Sequence, residues 1–532
     1  MGKASFFTDL AKEFSGYDVS KFSKDVLAGL TVTAVALPLA LAFGVSSGMD
    51  AASGLITAII AGLVIGSLSG ASFQISGPTG AMAAILAGLA ARHGAEGVLF
   101  AGMLSGVILI VAAILRVGAL VSYIPSPVIT GFTSGIAVII ALGQLDNVFG
   151  TVSKGDNALS RLVSYGSLGF HPQLGTFFYA ILVIGIMIIW PKKWNARFPA
   201  SLLGIIAALV FQLTIDLPVA EVGEIPRTLF SENRLHFGDL SLEKALRYFS
   251  PAVGIATLGM VESLLCGASA GKMKGEKLKP TRELFAQGLG NVIIPFFGGV
   301  PATAAIARTS VGIKSGGQTR LTSIIHSLGL LASMFLLGPY MGRIPLAALG
   351  GVLMVTSWRM NEWVAIRKIF GRKIKTSIAQ YLVTLCATVV FDLTTAILVG
   401  IAFSMIMFVI KSHRLSLEVN EVTCGNQKTQ VVYVDGSLFF GSQEQITSQI
   451  EALVVQGANR IIFSLRGVPS IDHSSVEEFI SIVEYCRKRQ VQVLFCGVQS
   501  GVMSMFRRLE FASYLGEESF FSSAVIALES LA

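Results

Sequence analysis

The chain has 532 residues, of which 53% are hydrophobic and only 14% are charged, and its mean hydropathy is +0.71. Soluble domains carry roughly 25% charged residues, so this composition excludes an ordinary soluble protein and predicts an integral membrane protein. The net charge of +8 does not indicate nucleic-acid binding, because lysine and arginine cluster in short loops between apolar segments.

Residues 1–25 form a mixed-charge arm that lacks the charged-then-apolar order of a signal peptide. Short loops rich in Lys and Arg indicate the cytoplasmic side of a membrane, and the arm fits the same side. We therefore expect a multi-pass protein of a bacterial-type inner membrane with both termini in the cytoplasm, and the segment 221–247 outside. The basic loop residues are Lys192, Lys193, Arg197, Lys272, Lys274, Lys277, Lys279, Arg282, Arg367, Lys368, Arg372, Lys373, Lys375, Lys411 and Arg414.

Apolar segments between residues 26 and 411 predict an α-helical transport domain of fourteen spans. An even number of spans returns the chain to the side of its N-terminal arm. Two segments, 78–91 and 302–313, are shorter than the ~20 residues of a full span. The predicted spans are 26–44, 51–69, 78–91, 98–116, 125–147, 174–190, 198–216, 249–271, 283–297, 302–313, 322–340, 345–357, 377–391 and 393–411.

The two short segments begin at matching positions of an internal repeat. Pro78 and Pro301 are 223 residues apart, as are the starts of the spans at 26 and 249, and Pro125 and Pro345 are 220 apart. Three similarities at nearly the same offset predict two copies of a seven-span repeat. Because seven spans is an odd number, the second copy must be inverted in the membrane. Paired broken helices in inverted repeats place helix N-termini, which attract anions, at a midplane site. The alternative is that Gly-Pro kinks only aid helix packing.

Glu262 is the only charged residue between Arg247 and Lys272. A carboxylate at membrane depth costs at least ~2.5 kcal/mol and usually marks an ion or proton path. The repeat offset maps Glu262 onto Leu39. We therefore expect Glu262 to lie beside the two short broken helices that begin near Pro78 and Pro301, which we call the half-helices. The alternative is a structural glutamate buried beside a helix partner.

Six short motifs are distributed over nearly the whole chain. Each motif alone is weak, and their combination is specific. They are A-L-P-L-A-L-A-F-G at 36–44, Q-I-S-G-P-T-G-A at 74–81, I-P-S-P-V-I-T-G-F at 124–132, Q-G-L-G-N at 287–291, P-A-T-A-A-I-A-R-T-S at 301–310 and S-G-G-Q-T-R at 315–320. With these motifs the chain resembles the SulP family of anion transporters over nearly its whole length.

The resemblance implies core and gate subdomains, elevator-type alternating access, a homodimer, and sulfate, bicarbonate, chloride or dicarboxylates as substrates. It places the substrate between the third and tenth spans and implies no cofactor. Glu262 matches the family's acidic position on the eighth span, and Arg308 a basic position just beyond the substrate site. The other residues placed at the substrate site are Leu39, Ser76, Pro78, Thr79, Gly80, Ala302, Thr303 and Ala304.

Two departures from the family bear on substrate and coupling. Many sulfate carriers have Gln where this chain has Leu39, and sodium-coupled bicarbonate carriers lack Arg308. If Arg308 turns toward a bound anion, Glu262 loses its partner and takes up a proton, so we favour proton coupling or exchange over sodium. A sodium site using Glu262 with Thr79 or Thr303 stays open, and Arg308 is alternatively a snorkelling arginine at the cytoplasmic end.

Residues 424–532 alternate strand and helix patterns and predict a small α/β domain after a linker at 412–423. The segment V-P-S-I-D-H-S-S-V at 468–476 resembles the loop of a STAS domain. Ser474 or Ser475 is predicted to cap the following helix with Glu477 or Glu478, or to be a phosphorylation site. Lys411 and Arg414 are expected at the lipid surface.

Two other classes of function stay open at this point, a channel-like anion conductor and a membrane-anchored STAS signalling protein. No nucleophile, metal cluster or cofactor motif is evident, so an enzyme is not expected. The cysteines form no C-x-x-C pair and predict reduced thiols without a metal role. They are Cys266, Cys386, Cys424, Cys486 and Cys496.

Overall fold

The computed structural model describes residues 3–119, 124–155, 158–191, 194, 198–391, 393–412, 415–424, 427–439 and 443–531. The chain divides into two compact units, Met1–Ala402 and Phe403–Ala532. Lys192, Lys193, Arg197 and Arg414 of the predicted basic loops lie outside the described residues, as does the side chain of Lys411. The lipid contact of Lys411 and Arg414 therefore stays a prediction.

The membrane half of the chain is helical, and each of the fourteen predicted apolar segments overlaps a helix. The helices are α1 (Lys3–Glu13), α2 (Val19–Ser46), α3 (Ala51–Leu68), α4 (Gly80–Ile114), α5 (Ser126–Gly143), α6 (Leu145–Phe149), α7 (Ala158–Leu168), α8 (Leu174–Ile189), α9 (Ala200–Ile215), α10 (Leu242–Lys274), α11 (Pro280–Ile293), α12 (Ile306–Lys314), α13 (Leu321–Gly342), α14 (Leu346–Met360), α15 (Trp363–Gly371), α16 (Lys375–Val390) and α17 (Leu393–Ser412).

Six spans among the described helices are long and apolar enough to cross a membrane by length and composition. They are α2, α3, α4, α5 joined with α6, α10 and α13. Helices α8, α9 and α16 and the part of α17 at Leu398–Met407 are shorter apolar segments. The count of fourteen spans and the seven-plus-seven repeat therefore stay predictions.

The few polar residues of these apolar segments mark helix boundaries. Asp50, the only charged residue between 26 and 91, caps α3 by accepting a 2.6 Å hydrogen bond from the backbone N–H of Ser53. Asp18 caps α2 in the same way, with the N–H of Lys21 at 2.8 Å. Gly94 (φ 66°) interrupts α4 between the spans predicted at 78–91 and 98–116, since glycine adopts positive φ without steric cost.

The helices of the first unit pack as two groups. In the first group, α4 packs on α10 and α11, α13 packs on α2 and α3, and α12 contacts α2 and α10. In the second, α5 packs on α16, and α14 packs on α5, α6, α8 and α9. Helices α2 and α4 of the first group contact α14 and α5 of the second.

The N-terminal arm is held against loops at the ends of the first group. Asp9 on α1 forms an ion pair with Lys279, just before α11. Glu13 binds Arg320 through the guanidinium Nη2 at 2.6 Å and Nε at 3.0 Å. Arg320 also donates to the carbonyl of Ser67 at 2.6 Å. Helix α1 thus ties together the end of α3 and the starts of α11 and α13.

Asp25, the last residue of the predicted arm, lies inside α2 and is buried. Its carboxylate accepts hydrogen bonds from the hydroxyls of Tyr17 (2.7 Å), Thr319 (2.7 Å) and Thr322 (2.9 Å). The backbone N–H groups of Gln318 and Thr319 donate to it as well. The carboxylate therefore fixes the loop that joins α12 to α13.

The second unit is an α/β domain, as predicted. One five-stranded sheet has the order β3-β4-β5-β6-β7, with β3 and β4 antiparallel and the other pairs parallel. Its elements are β3 (Ser416–Cys424), β4 (Gln427–Asp435), α18 (Gln443–Val455), β5 (Arg460–Gly467), α19 (His473–Lys488), β6 (Gln492–Cys496), α20 (Ser500–Arg508), α21 (Phe511–Leu515), β7 (Phe520–Phe521) and α22 (Ala524–Glu529).

Two local predictions for this unit are wrong. The predicted linker at 412–423 is largely strand β3, whose alternation of apolar Leu417 and Val419 with polar neighbours is typical of an edge strand. The N-cap of α19 is Asp472, which accepts the N–H of Ser475 at 2.8 Å, instead of Ser474 or Ser475. Ser475 is buried and Ser474 half-buried, and a regulatory role of either stays a prediction.

Candidate functional site

Two short strands lie directly before α4 and α12 and pair with each other. Strands β1 (Ser76–Gly77) and β2 (Thr303–Ala304) are antiparallel, with Ser76 opposite Ala304 and Gly77 opposite Thr303. Because antiparallel chains leave a pair at opposite ends, α4 and α12 run away from it in opposite directions. Each helix therefore turns its N-terminus toward the strand pair, as the matched prolines predicted.

The two helices begin at different distances from their strands. Helix α4 begins at Gly80 with Thr79 as its N-cap, whereas α12 begins at Ile306. The prediction that Ala302, Thr303 and Ala304 open the second half-helix is therefore wrong by two to four residues. These three residues are extended because hydrogen bonds to side chains of α10 and α11 hold the backbone of Ala302 and Ala304.

Residues 76–79 lead into α4 and residues 302–305 lead into α12, and Glu262 lies where these two lead-in segments meet. The hydroxyls of Thr79 and Thr303 donate to its Oε2 at 2.9 Å and 2.7 Å, and these hydroxyls are 3.1 Å apart. Each hydroxyl has one proton, so both protons point at the carboxylate. In the described part of the chain no group donates to Oε1, and the side chain is half-buried. Oε1 is thus open to water, a proton or a cation.

Arg308 lies on the first turn of α12 and crosses behind strand β1. Its side chain is only 1% exposed, and its Nη2 donates to the carbonyl of Pro78 at 2.5 Å. This burial rules out the snorkelling arginine considered as an alternative. A Cβ on Gly77 would lie 2.6 Å from Nη1, so a side chain at this position would displace the guanidinium.

The charge of Arg308 is not fully satisfied by the protein. Its Nη1 is buried and has no hydrogen-bond partner among the described residues. Within the same residues, no ion pair of 4.0 Å or less joins it to Glu262, and the two are connected through Pro78 and Thr79. A buried guanidinium with an unused N–H donor, close to two helix N-termini, favours an anion.

The helix starts add backbone donors. Across the described chain, no acceptor is found for the N–H groups of Gly80 and Ala81 in α4 or of Ile306 and Ala307 in α12. Such first-turn groups carry the positive end of the helix dipole. The segments that hold Glu262 therefore also present backbone N–H donors without an acceptor in the described part of the chain.

Two residues of α11 that were not predicted as site residues position the lead-in segments. Asn291 pairs with the backbone of Ala302 by accepting its N–H at 2.7 Å and donating to its C=O at 3.0 Å. One helical turn earlier, Gln287 donates to the hydroxyl of Ser76 at 2.9 Å. The spacing of four in Q-G-L-G-N places both amides on one helix face, which was the available signal.

All nine predicted substrate-site residues are buried, and Leu39 and Ser76 make contacts outside the junction at Glu262. Leu39 is 7% exposed and belongs to the hydrophobic core of the first unit. The hydroxyl of Ser76 points to Gln287 on α11, and the residue is 1% exposed. Pro78, Thr79, Gly80, Thr303 and Arg308 lie at or beside the junction with Glu262, and substrate contact by any of the nine residues stays a prediction.

Comparison with known proteins agrees with this geometry. The Sulfate permease family matches residues 22–388, and the STAS domain matches residues 422–524. A putative sulfate transporter, YvdB of Bacillus subtilis, is 32% identical over 528 residues, which cover 96% of this chain and 97% of the relative. The bicarbonate transporter BicA of a Picosynechococcus species is 27% identical over 518 residues, covering 91% and 90%.

Solved structures show the same fold. Murine Slc26a9, an anion transporter in an inward-facing state, has a TM-score of 0.87 at 17% identity and covers 100% of this chain and 95% of its own. The transmembrane domain of a cyanobacterial BicA has a TM-score of 0.66 at 27% identity, covering 71% and 97%. The fold and the paired half-helices define a helical membrane protein with a C-terminal STAS domain. The chain belongs to the sulfate permease family.

Proposed function

We propose that this protein is a secondary active transporter of small anions. The observation that carries the proposal is the junction of the half-helices, where Thr79 and Thr303 both bind Glu262 beside the buried Arg308. Donors from both halves of the repeat meet there with one acidic and one basic group. Such a junction can bind an anion through N–H groups and charge while a carboxylate handles the coupling ion.

Sulfate, bicarbonate and dicarboxylates are the proposed substrate classes. The relatives include a putative sulfate transporter and a bicarbonate transporter, both matched over at least 90% of their length. Backbone N–H groups and one guanidinium recognise oxyanions without selecting strongly among them. Leu39 offers no polar contact at the position where many sulfate carriers have Gln, so bicarbonate is favoured over sulfate.

Coupling is proposed to use a proton at Glu262, or to be replaced by anion exchange. An anion bound between the half-helices neutralises part of the positive charge of Arg308. Glu262 then loses part of the electrostatic attraction that favours its ionised form. The free Oε1 then takes up a proton from water, because no protein donor competes for it. Anion and proton would move together with partial charge balance.

Sodium coupling is the second candidate, and one observation favours it. The oxygen atoms of Glu262, Thr79 and Thr303 lie within 2.7–3.1 Å of each other, which is a partial set of the oxygen ligands that a hard cation takes. Rotation of the two hydroxyl protons away from Oε2 would turn their lone pairs inward. The presence of Arg308 close by opposes a second cation at this position.

The transport cycle is proposed to be of the elevator type in a homodimer in the inner membrane. The two helix groups of the first unit supply candidates for a moving core, with α4 and α12, and a gate, with α5 and α14. Both termini are proposed to be cytoplasmic, from the placement of the basic loops.

Uptake into proteoliposomes of purified protein tests the function. Radiolabelled sulfate, bicarbonate and succinate are each offered with a proton gradient, a sodium gradient or neither. Stimulation by protons supports the Glu262 scheme and identifies the substrate, whereas stimulation by sodium alone replaces it with a cation site. Exchange with preloaded anion but no gradient effect indicates an exchanger.

The same vesicles separate the remaining alternatives. A channel-like conductor dissipates an anion gradient and cannot accumulate substrate against one. A membrane-anchored signalling protein shows no substrate flux, and deletion after residue 415 abolishes its activity. For the proposed transporter, the same deletion leaves anion binding in place, since the site lies within the first unit.

A further inference from the structure

The sheet of the second unit has a topological switch between β6 and β7. The strands are parallel, so their carboxyl ends share one edge. Helix α20 follows β6 and packs with Phe495 on one face, whereas α22 follows β7 and packs with Cys496 on the opposite face. In open α/β sheets, connections that leave neighbouring strands toward opposite faces open a crevice where ligands bind.

A cavity occupies this crevice. Its volume is about 710 Å³, within the range of ~300–1,000 Å³ typical of small-molecule sites. It is lined by Arg466 at the end of β5, Val498 after β6 and Ser522 after β7. The lining thus comes from the carboxyl ends of three adjacent strands, as the switch point requires.

The charge in the cavity favours an anion. Arg466 is exposed and takes part in no ion pair within the described part of the chain. Arg507 lines the same cavity but is held by Glu517 through two contacts of 3.2 Å. One guanidinium is therefore free and a second is available if Glu517 is displaced or neutralised.

Apolar side chains form part of the remaining wall, beside Ser522 and Ser523. Val498, Met503 and Phe520 contribute to the lining. An inorganic oxyanion has the volume of a few water molecules, each about 30 Å³ in the liquid, and would leave most of the cavity filled with water. We propose that this crevice binds a small organic anion, whose phosphate or carboxylate group pairs with Arg466 and whose apolar part contacts these side chains.

This binding site is independent of the transport site and does not rest on the proposed transport function. All lining residues belong to the second unit, whereas Glu262 and Arg308 belong to the first. A ligand here gives the STAS domain a metabolite-sensing role.

Saturation-transfer NMR of phenyl phosphate with the full-length protein in lipid nanodiscs tests the proposal. Phenyl phosphate has the required acidic group and ring, and phenol is the uncharged comparison. The wild type is expected to bind phenyl phosphate saturably and phenol much more weakly. Arg466→Gln removes a charge-assisted contact and should raise the Kd about tenfold or more.

Two matched variants complete the test. Arg508 follows Arg507 on α20 but does not line the cavity, so Arg508→Gln should leave the Kd unchanged. Glu517→Gln releases Arg507 and should lower the Kd several-fold. The proposal is overturned if binding is not saturable, if Arg508→Gln loses as much affinity as Arg466→Gln, or if Glu517→Gln weakens binding or leaves it unchanged.

Discussion

The two oxygen atoms of the Glu262 carboxylate have different roles. Oε2 accepts both threonine protons and holds the half-helices together, whereas Oε1 faces the partly open side of the junction. A glutamine here keeps one oxygen acceptor for the threonines and replaces the other oxygen with an amide that cannot take up a proton. The substitution therefore separates the structural part of the residue from its proposed coupling part.

We expect Glu262→Gln to retain anion binding and exchange and to lose proton-driven accumulation entirely. The physical reason is that the variant mimics the protonated carboxyl group through the whole cycle. Uptake with and without a proton gradient should be equal in the variant. Glu243→Gln, an exposed residue on the first turn of the same helix, serves as the control and should accumulate substrate as the wild type does. Normal accumulation by Glu262→Gln would remove this residue from the coupling scheme.

Gly77 and Arg308 form a second pair whose parts can be tested separately. Arg308→Ala removes the positive charge and should weaken divalent sulfate about tenfold or more, with a smaller loss for monovalent bicarbonate. Equal losses for both anions would make Arg308 structural. The measurement is inhibition of labelled-anion uptake by each competitor.

Gly77→Ala tests the position of the guanidinium while keeping its charge. The new Cβ would lie 2.6 Å from Nη1, so the guanidinium must shift from its position at the carbonyl of Pro78. We expect the same order of divalent and monovalent losses as in Arg308→Ala. Gly185→Ala is the control, since its Cβ would meet no neighbour within 4 Å. Unchanged sulfate affinity in Gly77→Ala would show that the contact with Pro78 is dispensable.

Helix α11 sets the positions of the two lead-in segments. Gln287 reaches β1, and Asn291 reaches Ala302 just before β2, from positions one turn apart. Helix α11 is itself held by close packing on α4. The packing is so close that a Cβ on Gly288 would lie 2.7 Å from the carbonyl oxygen of Gly106. The geometry of the site is thus set by a helix that contributes no group to the carboxylate itself.

Asn291→Leu should damage both stability and substrate affinity. It leaves the buried N–H and C=O of Ala302 without partners, at a cost of about 1–3 kcal/mol for each group. The expected result is a lower Tm together with weaker anion binding, measured by thermal unfolding in the presence and absence of substrate. Asn233→Leu, in the loop before α10, is the control. A variant with a lower Tm but wild-type affinity would contradict the role of α11 in positioning the lead-in segments.

In the membrane half, the sequence predicted the presence of the helices better than the residues at which they begin and end. Each apolar segment became a helix, because exclusion from water constrains a whole segment and tolerates small shifts at its ends. The start of α12 was predicted too early, since Thr303 and Ala304 are held extended by strand pairing and by Ser263, contacts that no local pattern encodes. Glu262 was predictable because a lone charge in an apolar span is rare. The spacing of four between Gln287 and Asn291 indicates a shared helix face, but it does not identify Ala302 as the partner of Asn291.

At the scale of the whole molecule, helix α1 crosses the ends of three other elements of the first unit. Its acidic residues Asp9 and Glu13 bind Lys279 and Arg320, which precede α11 and α13. Arg320 in turn holds the end of α3 through Ser67. The arm therefore fixes one end of α3 and the starts of α11 and α13, and its release should loosen that group of helices.

The charge on Asp9 makes this attachment sensitive to acid. The hydrogen bond from Lys279 lowers the pKa of Asp9 below its ordinary value of 3.8 and outweighs the opposing effect of partial burial. A carboxyl group with a depressed pKa in the folded state stabilises the fold fully above its ordinary pKa, and this stabilisation is lost as the pH falls below it. Protonation of Asp9 should thus weaken the hold of α1 only in the range below about pH 4.

We expect Asp9→Asn to have a lower Tm than the wild type at pH 7, with the difference shrinking as the pH falls from 5 to 3. The reason is that acid removes from the wild type the same charge that the substitution removes at every pH. Thermal unfolding of both proteins in nanodiscs across this range is the measurement. Glu224→Gln, which changes an exposed carboxylate without an ion pair in the described part of the chain, should show no difference from the wild type at any of these pH values. A gap between Asp9→Asn and the wild type that stays constant down to pH 3 would mean that α1 is held by its packing and by Glu13, and that the Asp9 charge contributes nothing to the attachment.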